Sequence, residues 1–241
     1  MFKSCLKFDF NNLLKINLYA YINPQMKILI QITFLFLFLS FPALAEEIKV
    51  FEFNQEELSS LEIRKVRGAD AKTEYSIGKN DNGNFLKAVA NNAASGLGKE
   101  IKIDLNNTPI LNITWKVEKD ISGINERTKK GHDYAARVFV VKKTGATPLS
   151  NRAMNYVFSS NEDVDVFHPS PYTKKSIDYV LATTKEHLNE WVTVKVNVKD
   201  HFKKFHDIDL GEINGVAIMA DTDNSKLSSV AYYQNIYFSA E

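Results

Sequence analysis

Apolar and polar residues alternate, or β-branched residues cluster, in ten short segments: 48–53, 85–90, 100–104, 110–118, 134–141, 154–159, 176–183, 191–198, 215–220 and 231–238. Period-two alternation marks a half-buried strand, and this many short strands between turn signals predict a sandwich rather than alternating βαβ units. Asp81-Asn82-Gly83-Asn84 contains an Asn-Gly pair, which favours a tight hairpin turn. Two segments read as short helices: a single turn over 55–58, and 200–205, with Asp200 as cap and Phe202 and Phe205 on one face.

The alternation also assigns faces. Over 110–118, Leu111, Ile113, Trp115 and Val117 are apolar, against Asn112, Thr114, Lys116 and Glu118. Over 191–198, Val192, Val194, Val196 and Val198 form one face. Over 133–141, Tyr134, Ala136, Val138 and Val140 oppose Asp133, Ala135, Arg137 and Phe139. One dry face and one mixed polar face is the pattern of an antiparallel sandwich. Trp115 and Tyr156 are expected in the core.

The first 45 residues are set aside from this fold. Residues 26–45 read as a signal peptide, with a basic Lys27, an apolar stretch over 28–39 and an Ala43-Leu44-Ala45 cleavage pattern. The apolar stretch is shorter than the roughly 20 residues a spanning helix needs. Residues 1–25 are either a translation start placed too early or a long n-region. A single domain over 46–241 is expected, exported to the periplasm or secreted, and free of the membrane once the signal is cleaved.

Removing the leader changes the composition. Lys3, Lys7, Lys15 and Lys27, of 30 Lys and Arg, precede residue 46, as does Asp9 of 29 acids. Residues 46–241 thus carry 26 basic and 28 acidic groups, a net charge of −2. No basic block is present, which argues against nucleic acid as a partner. The single cysteine, Cys5, lies in the leader, so burial rather than disulfides must stabilise the domain.

Several strings are shared with one family: Ala94-Ser95-Gly96-Leu97, LNITWKV from Leu111, KKGHDYAARVFV from Lys129, Asn155-Tyr156-Val157, GVAIMADTDN from Gly215, Ala231-Tyr232-Tyr233 and Ile236-Tyr237-Phe238. Together they resemble the bacterial exported family named domain of unknown function 3047, over about 51–238. The resemblance implies a jelly-roll-like sandwich in the cell envelope and carries no established activity. The family usually has a second acid where this chain has His132, and another near Asn235.

Candidate chemistry concentrates in two strings. Asp221-Thr222-Asp223-Asn224 offers hard oxygen ligands for a structural calcium ion, with Asp221 and Asp223 as its carboxylates; no cofactor is required. It is not an EF-hand, because Lys226 and Tyr232 stand where Gly and Glu belong. The same residues also suit an Asx turn or a ligand contact. In the second string, His132, Asp133 and Arg137 cluster, and a buried Arg137 requires a carboxylate partner. The remaining histidines are expected in loops or at the surface. No nucleophile elbow, phosphate loop or dinucleotide fingerprint occurs.

Two functions follow from these residues, with a purely structural envelope role as the remaining alternative. One is a non-catalytic module that binds a glycan or another envelope component through Lys116, His132, Asp133, Arg137, Asn155, Asp221, Asp223 and Asn224. The other is a polysaccharide- or ester-cleaving enzyme, with Asp133 and Asp221 as acid and base and Arg137 stabilising negative charge. The second requires carboxyls about 5–9.5 Å apart across an open cleft.

Overall fold

A computed structural model describes residues 46–147 and 150–241. The expected signal peptide and the segment before it lie outside these residues.

Thirteen strands and three short helices are described. The strands are β1 (Glu47–Lys49), β2 (Ile63–Lys65), β3 (Glu74–Asn80), β4 (Gly83–Asn91), β5 (Ala94–Asp104), β6 (Ile110–Lys119), β7 (Ala136–Lys142), β8 (Arg152–Ser159), β9 (Phe167–Ser170), β10 (Thr173–Thr183), β11 (Val192–Asn197), β12 (Glu212–Asp221) and β13 (Ser228–Ser239). The helices are α1 (Gln55–Ser60), α2 (Thr184–His187) and α3 (Val198–His206).

One sheet has the order β11-β6-β13-β4-β3, with β1 also paired to β13; the other runs β2-β5-β12-β7-β8-β10-β9. The pairings nest: β7 with β8, β6 with β11, β5 with β12, and β4 with β13. A long two-stranded ribbon rolled up in this way, its successive pairs falling on alternate sheets, is a jelly roll. The expected all-β sandwich is therefore what the chain forms. Pairing is antiparallel except between β8 and β10, which run parallel. The intervening β9 hairpins onto β10 and becomes the sheet's outer edge.

The core lies between the sheets, where the inward residues of β6 (Leu111, Ile113, Trp115, Val117) face those of β7 (Ala136, Val138, Val140), β8 and β12. Trp115 and Tyr156 are fully buried, as alternation predicts. The β3–β4 hairpin turns at Asp81-Asn82 between paired Asn80 and Gly83, and Gly83 takes φ +115°. Asn82 keeps negative φ, so glycine alone supplies the left-handed residue the turn needs.

Local expectations fail in a few places. Helix α3 begins two residues early, and its cap is Asn197, whose Oδ1 accepts from Asp200 N–H; Asp200 instead sits in the first turn. β2, β3, β9 and α2 lack a strong alternating signal and are additional. Among the described residues, no helix is long and apolar enough to cross a membrane.

Candidate functional site

The outward face of the seven-stranded sheet holds the site. On β7, Arg137 and Phe139 point away from the core; on β12, Met219 and Asp221 do; on β10, Ser176 and Asp178 do. Over them lie the β2–β3 loop with Val66, Arg67 and Gly68, the β6–β7 loop with His132, the β9–β10 hairpin with Ser170, Tyr172 and Thr173, and the β12–β13 turn with Asp223 and Asn224. They enclose an open-mouthed cavity of about 500 Å³.

Its floor is a network of buried charges. Arg137 forms an ion pair with Asp221, both almost completely buried. This is the carboxylate partner that a buried arginine demands. The guanidinium also packs against the rings of Tyr134 and Phe139, at 5.0 and 5.4 Å from their centroids. Asp221 accepts a further bond from Tyr134 N–H at 3.2 Å.

Asp133 is fully buried and tied to the neighbouring turn. Asn224 donates its backbone N–H at 3.2 Å and its Nδ2 at 2.9 Å to one oxygen, and Ser225 N–H donates to the other at 2.6 Å. Asp133–Ala135 precedes β7, so the face assignment holds only from Ala136 onward. Asp133 and Arg137 share the site because the β6–β7 loop folds back onto the β12–β13 turn.

A second network surrounds Asp178. His132 Nε2 lies 2.7 Å from Asp178 Oδ2, and Asn155 Nδ2 donates to Asp178 Oδ1 at 2.5 Å. His132, in the β6–β7 loop, is only 6% exposed. Burial pushes its imidazole pKa down, helped by Arg137 and opposed by Asp178. Its ring meets Tyr134 and Tyr172 edge-on, at 5.4 and 5.5 Å. Tyr172, 55% exposed, donates to Asn224 Oδ1 at 2.7 Å and lines the cavity.

Of the eight residues singled out from sequence, His132, Arg137, Asp221, Asp223 and Asn224 line the cavity, with Asp133 directly beneath them. Asn155 is buried under the wall and reaches the site only through Asp178. Lys116 is misplaced. It lies on β6 in the other sheet, over the Tyr232 ring at 4.5 Å and bonded to Asn189 Oδ1 at 3.2 Å. Asn235, the position near which the family usually carries an acid, is exposed at an irregularity of β13 in that same sheet, with φ 47°. Asp178, Tyr172 and Arg67 were not foreseen as a group. An acid inside the apolar run Ile177–Ala182 was a usable signal for Asp178; nothing local marks Arg67.

The carboxylates suit two of the expected roles poorly. Ligand oxygens of Asp133, Asp221 and Asp223 lie within 4.8 Å of one another, which adds Asp133 to the proposed calcium pair. Calcium needs six to eight oxygens, yet Asp133 and Asp221 already serve N–H donors and a guanidinium. Only Asp223 has no side-chain donor among the described residues, so the set does not fit that ion. As an acid–base pair, Asp133 and Asp221 are also unsuited, because they are 0% and 1% exposed. A glycosidase pair flanks its bond across an open cleft. Asp133 and Asp221 do not meet that requirement.

The sequence matches the family described as "Protein of unknown function (DUF3047)" over residues 59–237. The chain belongs to this family. No curated protein matches. Among solved structures, the chain is similar to the family 30 carbohydrate-binding module of a Clostridium thermocellum cellulosomal cellulase, at 8% identity over 81% of this chain and 98% of that one, with TM-score 0.47. It is also similar to the xyloglucanase domain of NopAA from Sinorhizobium fredii, at 10% identity, 83% and 100% coverage and TM-score 0.43. Endoglucanase 3 of family GH12 from Trichoderma harzianum gives 6%, 83%, 99% and 0.41. None of the three assigns a ligand or a residue role to this DUF3047 chain.

Proposed function

We propose that this DUF3047 protein is an exported, non-catalytic module that binds a glycan of the cell envelope in the cavity on its seven-stranded sheet. One observation carries the reading: a cavity of about 500 Å³ in which an exposed tyrosine ring stands over a rigid polar floor. Sugars present an apolar face for a ring to stack on and hydroxyls for hydrogen bonding, and such a pocket offers both. Arg137, Asp133 and Asp178 are fixed by partners and buried, which suits a preformed binding floor. It does not suit groups that must exchange protons with substrate.

Affinity gel electrophoresis of the purified protein, through gels cast with plant, host and bacterial polysaccharides, tests the reading. At least one polysaccharide should retard it relative to an inert protein. Unchanged mobility across the whole panel would remove the proposal.

A further inference from the structure

Two acceptors lining the cavity lack protein partners, whereas the guanidinium Nε of Arg137, a donor also without one, is sealed from solvent. His132 Nε2 is engaged by Asp178, and a carboxylate oxygen can only accept, so Nε2 carries the proton. The neutral ring then presents Nδ1 as a lone-pair acceptor. Nδ1 has no partner among the described residues, although His132 is 94% buried on its 6% exposure and lines the cavity. Asp223 is the second acceptor: half-buried, cavity-lining and without a side-chain donor.

Charge points the same way. Arg137 is matched to Asp221, while Asp133 and Asp178 are held by neutral donors. Asp223 adds a carboxylate within 4.8 Å of two others, and burial and Asp133 push its pKa up. Among the other lining cations, Arg67 is exposed, where water screens it. Two vacant acceptors and an uncompensated negative charge beside an aromatic ring describe a receptor for a donor-rich cation. A metal ion is the poorer match, since the neighbouring carboxylates are already occupied.

Resting on the glycan reading above, we infer that the cavity takes a primary ammonium group, so that the ligand is a glycan containing an amino sugar with a free amine. The ammonium donates to the Asp223 carboxylate and to His132 Nδ1, close to the Tyr172 ring.

The test is titration calorimetry of the full protein with glucosamine oligomers, their N-acetylated counterparts, neutral cello-oligosaccharides and oligogalacturonate. Spermidine serves as a non-sugar amine and calcium chloride as a metal control. The expected result is that free-amine oligomers bind about tenfold or more tighter than acetylated or neutral ones, as a charged hydrogen bond implies. Added salt should weaken them, and Asp223→Asn should abolish the preference. Equal affinity for acetylated and free oligomers, or preference for oligogalacturonate, overturns the inference and leaves the glycan reading standing. Binding of spermidine but no oligosaccharide supports the ammonium site and removes the glycan reading; no binding by any probe removes both. Calcium binding that displaces the oligomers overturns it in favour of a metal site. Should Asp223→Asn fail to fold, the wild-type panel decides alone.

Discussion

Arg137 on β7 and Asp221 at the end of β12 form a buried ion pair on the outward face of the seven-stranded sheet, at the floor of the cavity. Removing one member strands the other charge away from water. Arg137→Leu should therefore cost roughly 3–5 kcal/mol, and the double variant Arg137→Leu/Asp221→Leu should recover much of that loss. Urea unfolding of the two variants is the check. A double variant as unstable as the single one would show that the pair is not the source of the cost.

Much of this cluster was legible from residue order, and the reason is geometric. Alternation in β7 places Arg137 on the face away from the core, and a buried arginine needs an acid. Lys116 shows where the reasoning stops. Its outward placement on β6 was correct, but a sandwich has two outward faces, and alternation cannot say which one a strand contributes to. That depends on strand order, which nested long-range pairing decides. Arg67 and Tyr172 reach the cavity from loops and a hairpin, where no periodicity operates. Asp133 was assigned to a strand because its neighbours alternate, yet its hydrogen bonds to Asn224 and Ser225 hold it in the preceding loop.

That loop contact leads to a second prediction. Asp133 satisfies the backbone N–H groups of Asn224 and Ser225 from a fully buried position. Asp133→Ala should orphan them, at about 1–3 kcal/mol. Amide exchange at Asn224 and Ser225 should accelerate more than in the β6–β11 ladder. Uniform acceleration across the protein would mean that Asp133 supports global stability rather than this turn.

Acid sensitivity follows from the histidines. Burial holds His201 neutral, with its pKa lowered to about 4, among the rings of Tyr156, Tyr179 and Phe205. An exposed histidine titrates near 6.5, so between that value and about 4 the unfolded chain binds more protons. Stability from His201 is thus complete above pH 6.5 and declines as pH falls towards 4. Burial lowers His132 and His206 as well, with the same sign. Glu126 opposes them: burial raises its pKa, so acid favours the folded form through that carboxyl. The difference in melting temperature between wild type and His201→Phe isolates one group. It should shift in favour of the variant from pH 7 to pH 4; a difference independent of pH would refute the assignment.

The two outward faces make opposite predictions for binding. Trp191, Phe85 and Tyr232 cluster on the six-stranded sheet, with Lys116 Nζ over Trp191 and Tyr232 at 5.9 and 4.5 Å. Their rings largely cover one another, and Tyr232 is only 8% exposed. Tyr172 stands in the cavity wall with more than half its surface in solvent. Tyr172→Ala should therefore weaken a retarding polysaccharide by roughly 0.5–1.5 kcal/mol, the worth of a stacked ring beyond its area, with little change in melting temperature. Trp191→Ala should lower the melting temperature and leave retardation unchanged. If Trp191→Ala abolishes retardation while Tyr172→Ala does not, the ligand lies on the other sheet, and the cavity cannot be the site.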